Sequence, residues 1–143
     1  MKNKKATTLI QSLLLFLLCG FSIFSDDEQI VELEIKTEVD ANHGSPFYLL
    51  VKEVEKGEFL KQDYQDIVKE AFPSNEKSPP FPPHVILPGK NYTLEIVRKQ
   101  EGKLLALYFL YTEPGQDWKL LVDSTTKLKV VLGENQISKV KIG

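Results

Sequence analysis

The chain has a single cysteine, Cys19, and only two histidines, His43 and His84, in 143 residues. One cysteine excludes an intramolecular disulfide, so an exported domain of this composition must be held together by its core. The two histidines are far apart and each sits beside loop residues, which reads as two surface side chains rather than a metal pair. No Gly-x-Ser-x-Gly elbow, phosphate-cradling glycine loop or zinc-helix motif occurs. The residues therefore give no support for catalysis, a cofactor, a metal or a small-molecule substrate. Internal repeats and a second apolar run of membrane length are also missing. Basic charge is short: 18 Lys+Arg stand against 20 Asp+Glu. Three of those lysines, Lys2, Lys4 and Lys5, lie at the extreme N-terminus, so the remainder is more acidic still and no nucleic-acid partner is expected.

What is present begins with those lysines and the apolar run from Leu9 to Leu18, too short to span a bilayer comfortably and read as an export signal. Two cuts fit it. Cys19 followed by Gly20 is where a bacterial lipoprotein carries its acylated cysteine, although Phe16 and Leu18 occupy places that usually hold an aliphatic and a small residue. A conventional cut after Ser25, with Ile23 and Ser25 in the recognition positions, discards Cys19 and leaves a soluble periplasmic protein with a binding or chaperone-like task. The expected organisation is a leader and short linker over 1–25 and one domain over 26–143, a length that suits a single core.

The domain is organised around Leu104 to Val122, two apolar runs separated by Glu113, Pro114, Gly115, Gln116 and Asp117. That reads as a hairpin whose first strand, uncharged from Leu104 to Thr112, is covered on both faces. Trp118, the only tryptophan, is expected in the core. Val31, Leu33, Ile35, Thr37 and Val39 alternate with charged residues as in a half-buried strand. Asp40 to Pro46 break it, and Phe47 to Val54 form the next strand. From Glu58 to Phe72 the period becomes helical, with Leu60, Tyr64, Ile67, Val68, Ala71 and Phe72 on one stripe, ended by Pro73. Asp63, Asp66 and Glu70 share another face of this helix and read as a solvated face rather than metal ligands. Ser74 to Pro83, rich in proline, is expected to cross in an extended form from one sheet edge to the other. Short strands at His84–Leu87, Tyr92–Ile96, Leu128–Leu132 and Ile137–Ile142 complete seven or eight strands and one helix. The fold class is mainly β: an antiparallel two-sheet sandwich with a helical insertion at about 58–72.

The order of features resembles the type VI secretion system lipoproteins, a family that includes TssJ, SciN and VasD. The likeness lies in Asn42, Gly44 and Pro46 ahead of the Phe47–Val54 strand, in Phe59 with Asp63 and Tyr64, in the Leu87-Pro88-Gly89 turn, in Trp118 to Val122, and in the closing pair Val130 to Ser138. Lys52 stands where the family's strand carries a tyrosine. The resemblance implies a transthyretin-like sandwich, lipidated at Cys19, in the outer membrane and facing the periplasm. Gly20 rather than an aspartate after the cysteine suits outer-membrane sorting. It also implies a non-enzymatic tether that binds the periplasmic part of an inner-membrane TssM-like subunit through the loop of Asp40, Ala41, Asn42, His43, Gly44 and Ser45. Asn42 and His43 are expected to be exposed there.

Overall fold

A computed structural model of the chain describes residues 29–75 and 82–143. Cys19, the cut after Ser25 and Pro79 to Phe81 lie outside them. Among the described residues are eight strands: β1 Gln29–Thr37, β2 Phe47–Val54, β3 His84–Ile86, β4 Asn91–Arg98, β5 Leu104–Leu110, β6 Lys119–Val122, β7 Lys127–Leu132 and β8 Ile137–Ile142. Two short helices, α1 (Lys56–Lys61) and α2 (Tyr64–Ala71), separate β2 from β3. The strands make two four-stranded sheets, ordered β4-β1-β7-β8 and β3-β2-β5-β6. The expected sandwich is borne out. One pair departs from the antiparallel rule: β1 and β7 run parallel, from Glu32 beside Lys127 to Thr37 beside Leu132. The chain leaves β6 in one sheet and enters the other at β7, so no hairpin constrains that pair to run in opposite directions.

The two-residue period of β1 sends Val31, Leu33, Ile35 and Thr37 inward, all buried, and β7 does the same with Leu128, Val130 and Leu132. Val39, at the end of the same alternation, is 83% exposed because β1 stops at Thr37. Residues 105 to 110 of β5 are all buried, as their uncharged run requires of a strand covered on both faces. β5 pairs with β2 from Tyr48–Leu110 to Val54–Leu104 and with β6 from Leu105–Val122 to Tyr108–Lys119, which is the anticipated central hairpin. Trp118 is buried against Tyr64, at 5.1 Å between ring centroids, and Tyr108, at 5.8 Å.

The single helix expected at 58–72 is two helices. Gln62 is extended (φ −72, ψ 123) and Asp63 starts α2 as its N-cap. Asp63 Oδ1 accepts from the Asp66 backbone N–H at 2.9 Å, and Asp66 Oδ2 accepts from Asp63 N–H at 3.1 Å. This reciprocal box stabilises a helix start, so a sequence periodic across it folds as two pieces. The break turns α1 away from the stripe: Leu60 is 67% exposed and Phe59 faces Tyr108 instead. Ile67 and Ala71 are buried as expected, whereas Phe72 lies past the last turn and is 46% exposed, its ring edge-on to Tyr48 at 4.9 Å. β3 pairs with β2 at the edge of the same sheet, and the crossing expected of the proline segment falls on residues 76–81, outside the described ones.

The helices are tied to the sheet by polar groups from β2, β5 and β6. Lys119 Nζ donates to the carbonyls of Phe59, at 2.6 Å, and Gln62, at 3.0 Å, groups that α1 leaves without helical partners. Burial lowers the Lys119 pKa, with nearby Asp63 opposing that shift. Lys52, buried in β2, donates to Glu70 at 2.7 Å and Glu58 at 3.2 Å, one carboxylate from each helix. Tyr64 donates its hydroxyl to the Tyr111 carbonyl, and Tyr108 donates to Gln62 Oε1 at 3.2 Å. Burial raises the phenol pKa values of Tyr64, Tyr108 and Tyr111, foremost through desolvation.

Trp118→Ala removes the ring shared by the hairpin and α2 and is expected to cost about 3–5 kcal/mol in a denaturant titration. A loss below about 1 kcal/mol would mean that the ring contributes little packing.

Candidate functional site

The candidate loop, Asp40 to Ser45, lies at the end of the sandwich where β1 finishes. The β3–β4 turn, the β5–β6 connection and the β7–β8 turn close the same end, as the strand registers require. They are joined to one another. Thr37 Oγ1 donates its one hydrogen to the Lys90 carbonyl at 2.6 Å, with the Leu87 carbonyl 3.2 Å away. Gly115 N–H donates to Asn135 O at 2.7 Å, and the Tyr111 hydroxyl donates to Gln136 O at 3.1 Å. A Cβ on Gly115 would stand 3.3 Å from the Asn135 carbonyl, so glycine lets these two loops approach.

Within the candidate loop the backbone takes a rare path. Asn42, His43 and Gly44 have φ of 51, 53 and 78, three consecutive residues in the left-handed region. For an L residue other than glycine this costs on the order of 1–2 kcal/mol, least for asparagine. Asn42 offsets that cost through its side chain. Its amide nitrogen donates to Ser45 O and Pro46 O, both at 3.1 Å, and approaches Thr112 Oγ1 at 3.2 Å, while its Oδ1 accepts from Thr112 N–H at 2.9 Å. With two hydrogens for three acceptors, the amide is fully used. Asn42 N–H also donates to Glu134 O at 2.8 Å.

The expectation that Asn42 and His43 are both exposed therefore holds only for His43. Asn42 is 2% exposed. It is a structural residue, because the left-handed turn folds its amide under the loop and onto Thr112. Ala41 is fully buried, whereas Asp40, His43, Gly44 and Ser45 are exposed. Of the six residues, four thus form a surface and two support it.

His43 Nδ1 lies 3.0 Å from Glu134 Oε1, with both side chains more than half exposed. Sequence reasoning missed Glu134, which contributes from the β7–β8 turn; its nearness follows from the parallel β1–β7 pairing, which no local pattern signals. Glu38, Asp40, Glu113, Asp117 and Glu134 give this end five exposed carboxylates, and Lys90 is the lysine among its loops. His84 opens β3 opposite Leu49 and does not join His43. The helix carboxylates are divided between capping, by Asp63 and Asp66, and the Lys52 ion pair, by Glu70. Among the described residues, no group of three or more His, Cys, Asp or Glu is placed to hold a metal ion, and no helix is long and apolar enough to cross a membrane.

The family model of the IglE N-terminal domain matches residues 48–132, more than half of the chain. The chain belongs to that family. The matched stretch runs from β2 to the end of β7 and leaves Asp40 to Ser45 outside it. Curated protein sequences give no match. Among solved structures, Serratia marcescens Lip, a membrane-bound component of the type VI secretion system, has a TM-score of 0.64 at 14% identity over 79% of this chain and 98% of that one. The type VI lipoprotein TssJ1 from Pseudomonas aeruginosa has 0.62 at 16% identity, over 80% and 96%. A chain in the structure of the type VI protein TssM C-terminal domain from EAEC has 0.61 at 14% identity, over 80% and 99%. At such identities the structural likeness is one of fold. Together with the family match, it bears out the kinship with type VI secretion lipoproteins read from the sequence.

Asn42→Ala leaves the Thr112 N–H and two loop carbonyls without their partner. It is expected to destabilise the domain by about 1–3 kcal/mol. His43→Ala, on the exposed side of the same turn, should stay within about 0.5 kcal/mol of wild type. Equal melting temperatures for wild type and the Asn42 variant would contradict the supporting role.

Proposed function

We propose that this protein is a non-enzymatic envelope lipoprotein of a type VI secretion-like membrane complex. In this reading Cys19 is acylated and held in the outer membrane, and the domain of residues 26–143 faces the periplasm. There it binds the periplasmic part of an inner-membrane TssM-like subunit. The observation that carries the reading is geometric: β1 leads from Gln29, next to the anchor segment, to the Asp40–Ser45 loop at the opposite end of the sandwich. Nine strand residues separate the two ends by roughly 30 Å. A tether needs its anchor and its contact on opposite ends, and loops at the end of a rigid sandwich are where recognition concentrates.

The kinship supports the partner, since similar folds occur in structures of type VI membrane-complex components. The chemistry of the contact follows from the exposed residues. Asp40, His43 and Ser45 project from a turn that Asn42 fixes in advance, which lowers the ordering cost of association. The carboxylates of Glu38, Glu113, Asp117 and Glu134 around them, with that of Asp40 itself, match a partner surface that is basic.

Two measurements test the reading. Cys19→Ser should move the protein from the membrane fraction to the soluble periplasm, because one removed anchor leaves no acyl chain to hold it. A wild-type N-terminus at Asp26, read by mass spectrometry, would instead support a soluble periplasmic sandwich. For the contact, Asp40→Ala with His43→Ala, leaving Asn42 intact, should weaken binding to the periplasmic part of a TssM-like protein by about 1 kcal/mol or more. Unchanged affinity in that stable double variant would move the contact elsewhere on the domain.

A further inference from the structure

Strand β8 is a sheet edge that repeats the pattern of the strand beside it. In β7, Lys127, Leu128, Lys129 and Val130 alternate, with the two apolar residues in the core and both lysines exposed. In β8 the same order recurs as Lys139, Val140, Lys141 and Ile142. Lys141 lies opposite Lys129, Val140 opposite Val130 and Ile142 opposite Leu128, and residues opposite each other in an antiparallel pair share a face. Lys139 and Lys141 therefore point outward, Val140 and Ile142 inward.

The molecule shows once what a strand of this pattern takes as a neighbour. β1 lies along β7 with Val31, Leu33 and Ile35 in the core and with Glu32 and Glu34 on the outer face. There Glu34 stands 3.1 Å from Lys129, and Lys127 stands 3.8 Å from Glu32 and 4.0 Å from Glu34. Acid meets lysine outside, and apolar meets apolar inside.

On the free side of β8 both halves of that match are missing. Leu128 and Val130 are 1% exposed, yet Ile142 is 69% and Val140 41% exposed while facing the same way. Neither Lys139 nor Lys141 is in an ion pair among the described residues. Across the seam, β6 is the edge of the other sheet, and Leu120 and Val122 join Leu128, Val140 and Ile142 around a groove of about 340 Å³. Asp123 is the charged residue in that lining, so an incoming strand is excluded with its acids inward and admitted with its acids outward. A second copy pairing β8 with β8 sets lysine opposite lysine, which is unfavourable.

We propose that the free edge of β8 binds an extended segment of another protein in which apolar and acidic residues alternate, taken up as an added strand of the sheet. Its carboxylates pair with Lys139 and Lys141 on the outer face, and its apolar side chains fill the seam against Leu120, Val140 and Ile142. Main-chain bonds to β8 supply affinity, and the alternation supplies selectivity. The contact runs along the side of the sandwich rather than at its end. It is separate from the Asp40–Ser45 loop and does not depend on it.

The β1 sequence itself serves as the probe. A labelled synthetic peptide of Gln29–Thr37 should bind the full processed chain at least about tenfold more tightly than the same peptide carrying Glu32→Lys and Glu34→Lys, as read by fluorescence anisotropy. Lys139→Glu with Lys141→Glu in the protein, which relieves the Lys129–Lys141 repulsion and leaves the core intact, should reverse that order. Ile142→Asp, at a site already mostly exposed, should weaken binding of the acidic peptide. Equal binding of the two peptides by wild type, or no binding of the acidic one up to about 1 mM, would overturn the proposal. An acidic preference that survives the charge reversal, or affinity indifferent to Ile142→Asp, would place the peptide elsewhere, as in exchange with β1, and would overturn it as well.

Discussion

Strand β5 must be dry on both faces, and most of the molecule follows from that. Its inward residues, Leu105, Leu107 and Phe109, meet the other sheet. Its outward face, with Ala106, Tyr108 and Leu110, has to be covered by something that is not a sheet. The insertion between β2 and β3 supplies the cover. Because α1 and α2 are short, with six and eight residues, they are marginal as isolated helices. Their stability comes from the aromatic layer of Phe59, Tyr64, Tyr108 and Trp118, and from Lys52 and Lys119 reaching up out of the sheet to bind both helices. Lys52 is thus part of how this chain attaches its helices.

The parts of this fold that could be read from sequence are those where a local pattern matches a local cause. The β1 alternation, the uncharged β5 run and the 113–117 turn each depend on neighbours in the chain. What escaped notice depends on partners distant in sequence or on competing local signals. Asp63 and Asp66 carried a start signal inside a longer helical period, and the period was the louder of the two. Val140 and Ile142 have the alternation of core residues, and only the open seam beside β6 shows why they are exposed.

The stretch from Asp40 to Ser45 joins β1 to β2, as its polar, glycine-containing sequence suggests, but its internal division of labour was not visible there. Asparagine in a loop reads as a turn residue. That Asn42 is instead buried, bonded to Thr112 across 70 residues of sequence, follows from three left-handed residues that curl the loop back on itself. His43 was noted for its chemistry, while Glu134, its partner, became adjacent only through the parallel pairing of β1 with β7.

That parallel pairing has a mechanical consequence. Force applied at Gln29 and resisted at the loop after Thr37 acts along the axis of β1, which is internal to its sheet. It is flanked by β4 over eight paired positions and by β7 over six. Pulling in this direction loads both hydrogen-bond ladders in shear, so that many bonds must fail together rather than peel apart one at a time. A chain that entered through a sheet edge, or left by the end at which it entered, would unzip under the same load.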